Sequence, residues 1–212
     1  MTGLWILVAI IVVVALAVIA SYNRFVRQRN LVQESWRQVD VELNRRHDLI
    51  PNLVATVKGY ATQERTVLEQ VTEARAAAVQ TLQAQSAGVA QQAQAENTLG
   101  RALNGLFAVA ENYPDLKSSQ NFLALQQQLA ETEDRIAAGR RFYNGNVRAL
   151  NTRVESFPSS LIATMFGFGK ADYFEVDDPA VRAPVAVDFS SLSPSAPTQP
   201  PGPAPQTGQS PS

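Results

Sequence analysis

The sequence predicts an all-α protein: one N-terminal transmembrane helix, an antiparallel four-helix bundle built from long helices, and a disordered Pro-rich C-terminal tail. Three observations predict it. Residues 4–20 are an uncharged apolar run; across most of residues 22–157 apolar side chains recur at threes, fours and sevens; and from residue 190 the chain has no charge and is rich in Pro, Ser, Gln, Thr and Gly. The first pattern suits a membrane span, and the second suits helices that face other helices. The third buries too little apolar surface to offset its ordering entropy. The expected organisation is an anchor at 1–21, a helical body at 22–187 and a tail at 188–212, with no strand pattern of useful length.

The run LWILVAIIVVVALAVIA spans about 25 Å as a helix, the lower limit for a hydrocarbon core of about 30 Å. Thr2, Gly3, Ser21 and Tyr22 lengthen it, and Trp5 and Tyr22 lie near its ends, where amphipathic rings favour the interface. A cleaved signal peptide would start with basic residues, carry a shorter apolar stretch and end in a small-residue cleavage site. Here no Lys or Arg precedes the run, and Tyr22, Asn23 and Arg24 follow it closely. The expectation is therefore a retained, single-pass anchor in the cell membrane, with the lipid bilayer as a partner. No Gly-, Pro- or Ser-rich linker follows, so the span can continue as helix into the body. Arg24, Arg27 and Arg29 follow the span and only the α-amino group precedes it. The positive-inside rule then places the body in the cytoplasm and the N-terminus outside; the alternative, an extracytoplasmic body, suits the uncharged tail.

Between anchor and tail lie roughly 165 residues, one domain of ordinary size. The chain has 18 basic and 19 acidic side chains, so no strongly basic face points to nucleic acid. There is no cysteine, which excludes disulfides and thiol chemistry.

The body opens with a helical pattern over residues 22–84. One row is Trp36, Leu43, Ile50, Val57 and Val71, missing only Glu64; a second is Phe25, Val32, Val39, Leu53, Tyr60 and Val67, broken by Arg46. Val54, Ala61 and Leu68 widen the stripe beyond a two-stranded seam, which favours a bundle. Pro51 falls inside it, removing one backbone hydrogen bond and crowding the His47 carbonyl. The stripe keeps its phase across Pro51, so the pattern predicts a kink there and not a hairpin. A turn is expected at Ser86, Ala87 and Gly88, then a helix over 89–112 stopped by Tyr113-Pro114-Asp115. Ser118 or Ser119 can cap a third long helix, whose row Phe122, Leu125, Leu129, Ile136, Tyr143, Val147, Leu150, Val154 and Phe157 ends at Pro158. At about forty residues it spans roughly 60 Å. Ser159 or Ser160 then caps a short apolar piece at 161–168, closed by Gly167 and Gly169. This piece, with Tyr173 and Phe174, is expected to cover an end of the bundle or to touch the bilayer or a partner.

Few residues suggest chemistry. His47, beside Asp48, is the one histidine, and a metal site would need further donors converging on it. Asp40, Glu64, Glu131, Glu133 and Asp134 could supply paired carboxylates, but the Glu-x-x-His motif of diiron bundles is absent from the sequence. No catalytic residue, metal ligand or cofactor site is therefore assigned. His47 is expected to bond a carboxylate or a freed carbonyl near Pro51. Arg46, Glu64 and Arg140 interrupt apolar rows, where a polar residue can fix register; Glu64 is expected to pair with an arginine on a neighbouring helix, such as Arg140. Pro51 with Arg45, Arg46 and Asp48 is either a simple kink or a hinge and docking surface.

The residues also carry a resemblance. Asn30-Leu31-Val32, Trp36, Val39-Asp40 and the run from Arg45 through His47, Asp48, Pro51 and Val54 resemble the signature of LemA-family proteins. Val57-Lys58-Gly59-Tyr60-Ala61, Tyr113-Pro114-Asp115-Leu116-Lys117, Phe122, Leu125-Gln126, Thr132-Glu133, Arg140-Arg141-Phe142-Tyr143-Asn144 and Tyr173-Phe174-Glu175 continue it. Two positions depart from the family pattern: Gln63-Glu64 stands where the family usually has His-Glu, and Leu150-Asn151 where it often has a second Tyr-Asn pair. The resemblance implies a bacterial, membrane-anchored four-helix-bundle protein without established catalytic activity. It also implies a relative that takes part in shaping magnetosome membranes, and genes that often neighbour those of membrane proteases. Tyr143 and Asn144 join the structural or interaction candidates on this ground.

The functional expectation is a non-enzymatic scaffold or adaptor that engages membrane proteins beside the bilayer. The competing expectation is a homo-oligomer that builds or remodels the envelope, and an enzyme is the third.

Overall fold

The computed structural model describes residues 1–84 and 87–175; the expected tail, the end of the body beyond residue 175 and Ser86 of the expected turn lie outside the described residues. Six helices and no strand occur among them: α1 Thr2–Tyr60, α2 Arg65–Gln83, α3 Val89–Ala110, α4 Pro114–Lys117, α5 Gln120–Glu155 and α6 Ser159–Phe166. The apolar span and the first body helix are one continuous helix, as the missing linker implied. None of the span is buried against the protein, so its apolar surface is free to face lipid.

One expectation is corrected. The helix predicted over 22–84 ends at Tyr60, and α2 folds back along α1 after a four-residue turn at 61–64. Four residues are close to one helical turn, so the heptad rows kept their phase across the break and disguised it. The single gap in the first row, Glu64, marks the turn: it stands at the N-terminus of α2. Folding back buries Leu68 and Val71 of α2 in the same cluster as Ile50, Leu53 and Val57 of α1. Pro51, in contrast, lies within α1 and does not break it.

The remaining elements follow the pattern closely. Pro114 does more than end α3: it stands at the first position of α4, where its missing N–H is not needed. Ser119 is the residue that precedes α5, although its side chain makes no capping bond. At 36 residues, α5 is about 54 Å long. Gly167 ends α6 in the left-handed conformation at φ 70°, which glycine adopts without a Cβ penalty. Pro158, rather than Ser159 or Ser160, precedes that helix.

α1 pairs chiefly with α5, and α2 with α3. The core has two apolar halves. The membrane-distal half gathers Ile50, Leu53 and Val57 of α1 with Leu68, Val71, Leu99, Leu103, Leu106, Leu116 and Phe122. The membrane-proximal half gathers Phe25, Val32, Val39 and Leu43 with Ile136, Tyr143, Val147, Leu150, Ala163 and Phe174. α1 and α5 approach closely in the proximal half: a Cβ on Gly139 would lie 3.1 Å from Val39 Cγ2. A mid-helix glycine costs about 1 kcal/mol relative to alanine, and this approach gives a reason for it.

Candidate functional site

A charged layer separates the two apolar halves. On α1 it falls between Leu43 and Ile50, on α3 over residues 92–96 just before Leu99, and on α5 between Leu129 and Ile136. The rows that bury the helices place Arg46 and His47, Gln92 and Glu96, and Thr132 there, all buried.

Glu96 is the centre. Its Oε1 lies 2.8 Å from His47 Nε2 and accepts a 2.8 Å bond from Gln92 Nε2. Arg46 Nη1 stands 3.7 Å from Glu96 Oε2 and 3.2 Å from Glu133 Oε2 at the rim. One guanidinium thus joins a sealed carboxylate to a half-exposed one, tying α1 to α3 and α5. Gln92 donates to Oε1 through its amide, and His47 can donate to the same oxygen in the tautomer that carries its proton on Nε2. Nδ1 of His47 is buried without a partner. Asp40, seven residues before His47, has its carboxyl pushed above the usual range by burial, with the charge of His47 acting in the opposite sense.

Pro51 has no N–H to give the carbonyl of His47, four residues earlier. Arg75 of α2 replaces that donor: its Nε bonds the His47 carbonyl oxygen at 2.7 Å. The expected freed carbonyl is real, and a second helix takes it up. Asp48 and Pro51 themselves are exposed, so the carboxylate that His47 bonds is Glu96, not its neighbour in sequence.

Side-chain exposures of 2% for His47 and 1% for Glu96 close these groups to any substrate. Their arrangement links α1, α3 and α5, and a buried charged network of this kind is suited to fixing register at some cost in stability. Among the described residues no three His, Asp or Glu converge as for a metal ion.

The other sequence candidates divide between two places. Glu64 does not pair with Arg140. It accepts a 3.2 Å bond from the Tyr113 hydroxyl at the distal turn, while Arg140 adjoins Gly139 at the level of Val39, roughly 30 Å away along α1. Tyr143 and Asn144 anchor a strap, residues 167–175, along α5. Asn144 Nδ2 and Oδ1 bond the oxygen and nitrogen of Phe174 at 3.1 and 2.9 Å, and Asn151 bonds both backbone groups of Ala171 at 2.9 Å. Tyr143 donates its hydroxyl to the Asp172 carbonyl at 2.8 Å. Burial, aided by the Asp172 charge, pushes the Tyr143 phenol up to about 12. The pinned strap delivers Phe174, fully buried, against Trp36 and seats Phe168 in a stack on Phe25. At position 151 the asparagine alone makes the strap bonds, so the tyrosine missing at 150 takes nothing from them.

Sequence reasoning missed Gln92, Glu96 and Arg75. Gln92 and Glu96 stand on the α3 row that continues through Leu99, Leu103, Leu106 and Ala110, and that register was the available signal. Arg75 had none, because its partner lies on another helix.

At the membrane end, α6 covers the bundle with Ala163 and Ile162, and Phe168 of the strap joins them. Tyr22 meets Phe166 and Phe168 edge-on at 5.0 and 5.6 Å. Phe157, Leu161 and Met165 stay exposed there, and Trp5 is exposed near the other end of the span.

These features define a class: a membrane-associated helical bundle in which the apolar candidate span is continuous with the longest helix among the described residues. The model of the LemA family matches residues 35–189, and the chain belongs to the LemA family. It is 27% identical over 205 residues to magnetosome protein MamQ 2 of Paramagnetospirillum magneticum, covering 84% of this chain and 75% of that protein. Magnetosome protein MamQ of Magnetospirillum gryphiswaldense is 26% identical over 77% of this chain and 68% of its own length. Protein LemA of Metamycoplasma hominis is 24% identical over 74% and 69% respectively.

Proposed function

We propose that this protein is a non-enzymatic scaffold that holds a rigid helical body against the bacterial membrane to engage membrane proteins. The observation that carries this reading is the unbroken α1, which runs from the apolar span through the charged layer to the distal turn. A span joined by a flexible leash would set only distance; a continuous helix also sets orientation. On this reading the span is a retained, single-pass anchor, and Arg24, Arg27 and Arg29 keep the body on the cytoplasmic side. The exposed Phe157, Leu161 and Met165 rest at the interface.

Proximity labelling in living cells, with the enzyme fused at the C-terminus, tests it. The expected result is a set of cytoplasmic and membrane neighbours that shrinks when a Gly-Gly-Ser-Gly insertion after Ser21 uncouples span from body. Recovery of nothing above background, or the same set from both chains, would overturn it.

The likeness to proteins named for the magnetosome favours a second reading, self-assembly in building or remodelling membranes. A full chain that stays monomeric at high concentration in detergent and leaves liposomes unchanged would remove it.

A further inference from the structure

Beside the end of the apolar span, α1 and α5 leave an open groove of about 1140 Å³ whose walls include Ala20, Arg24, Arg27, Arg148 and Arg153. Ala20 closes the apolar run, so the groove begins where the span leaves the hydrocarbon. Arg24 and Arg27 stand four and seven residues beyond it, about 6 and 10 Å along the helix. That is the depth of lipid head groups outside a core of about 30 Å. The arginines after the span need no more than topology to explain them. Arg148 and Arg153 are different: α5 carries them back to the membrane end and into the same groove.

Elsewhere in the body the guanidinia of Arg37, Arg46 and Arg135 have carboxylate partners. The four of the groove have none among the described residues, and no described Asp or Glu lines it. Glu155 at the end of α5 is held by Lys170. Arg153 packs over the Phe25 ring at 5.7 Å, and its Nε is buried without an acceptor. Burial, together with the like charge of Arg24, lowers the Arg153 pKa. Converging guanidinia that lack a counter-charge call for an anion from outside, and their planar forks match phosphate oxygens.

We propose that this groove binds the phosphate head group of an anionic phospholipid through Arg24, Arg27, Arg148 and Arg153, with the acyl chains lying along the span. Asn23 and Gln28 on the groove wall add neutral donors for the glycerol or head-group oxygens. The proposal requires residues 4–20 to cross a bilayer but needs no protein partner, so it stands apart from the scaffold role.

The test uses the full chain in a neutral detergent, with native mass spectrometry counting bound lipid during titration with phosphatidylglycerol, phosphatidylethanolamine or inorganic phosphate. The expected result is retention of phosphatidylglycerol only. Basic residues near an anionic surface contribute about 1 kcal/mol each, so R148Q weakens retention about fivefold and R148Q/R153Q about 25-fold, whereas R148K/R153K, which keeps the charge and loses the forks, falls between the parent and R148Q/R153Q. Arg148 is exposed, so R148Q keeps the parental melting temperature without lipid; if the double variant fails to fold, R148Q alone decides. Equal retention of the two lipids, displacement of phosphatidylglycerol by inorganic phosphate at equal concentration, or parental retention by R148Q would overturn the proposal. A chain that loses lipid preference yet still fractionates with membranes would leave the anchor and the scaffold reading intact.

Discussion

The two halves of the body are held by different means. The distal half is largely aliphatic packing among α1, α2, α3, α4 and α5, with Leu53, Leu99 and Leu106 fully buried. In the proximal half α2 and α3 contribute only their adjoining ends, with Leu82, Val89 and Ala93, and α1 is flanked chiefly by α5, α6 and the strap. There the core adds an aromatic cluster, with Phe25, Trp36, Tyr143, Phe168 and Phe174 in ring contacts, and its cover is attached by side chains bonding backbone. A half made of helices is fixed by periodic burial; a half closed by an irregular segment needs specific polar pins. The charged layer lies at the boundary between them.

The largest effect should come from that boundary. Glu96→Ala leaves Arg46 and His47 buried without their carboxylate, and breaking such a pair costs about 3–5 kcal/mol. Denaturant unfolding should show the loss in both halves at once. If Glu96→Leu with Arg46→Met restores the parental stability, the layer contributes register rather than net stability. Next come the pins. Asn144→Ala or Asn151→Ala removes two bonds to the strap and should cost about 1–3 kcal/mol. Hydrogen exchange should rise over 167–175 and leave Leu99 to Leu106 protected; equal loosening of both halves would erase the contrast. Gly139→Ala sets about 1 kcal/mol of recovered helix propensity against pressure on Val39, 3.1 Å from the added Cβ, so its net cost should be at most about 2 kcal/mol, felt in the proximal half.

The smallest effect is that of one hydroxyl. Tyr143→Phe should cost about 1 kcal/mol. Because the phenol is raised to about 12 from an ordinary value near 10, the folded state favours its protonated form. That stabilisation is complete below about pH 10 and is lost as the pH climbs toward about 12. Tyrosinate absorbance of the parent against Tyr143→Phe should show one late-titrating phenol.

Helix content and burial were legible because local periodicity carries them: the rows from Phe25 to Val57 and from Phe122 to Leu150 are the buried faces observed. The turn at 61–64 escaped because its length preserves the phase. The partner of His47 escaped for another reason. It lies on α3, and only the register of Gln92 and Glu96 hinted that α3 buries a carboxylate. The consequence of Pro51 was half legible, since the exposed carbonyl follows from covalent chemistry but its donor, Arg75, depends on α2 folding back. Of the candidate site, Arg46, His47, Tyr143 and Asn144 were named in advance. The strap that Tyr143 and Asn144 serve had no periodicity by which to place it.

Span and body share one unbroken helix, and hydrogen exchange of the full chain in lipid nanodiscs, followed over residues 18–28, reads its continuity. Slow exchange should continue without interruption from the apolar run through Arg27. Fast exchange at Ser21 to Arg24, with protection on either side, would show a leash and contradict it.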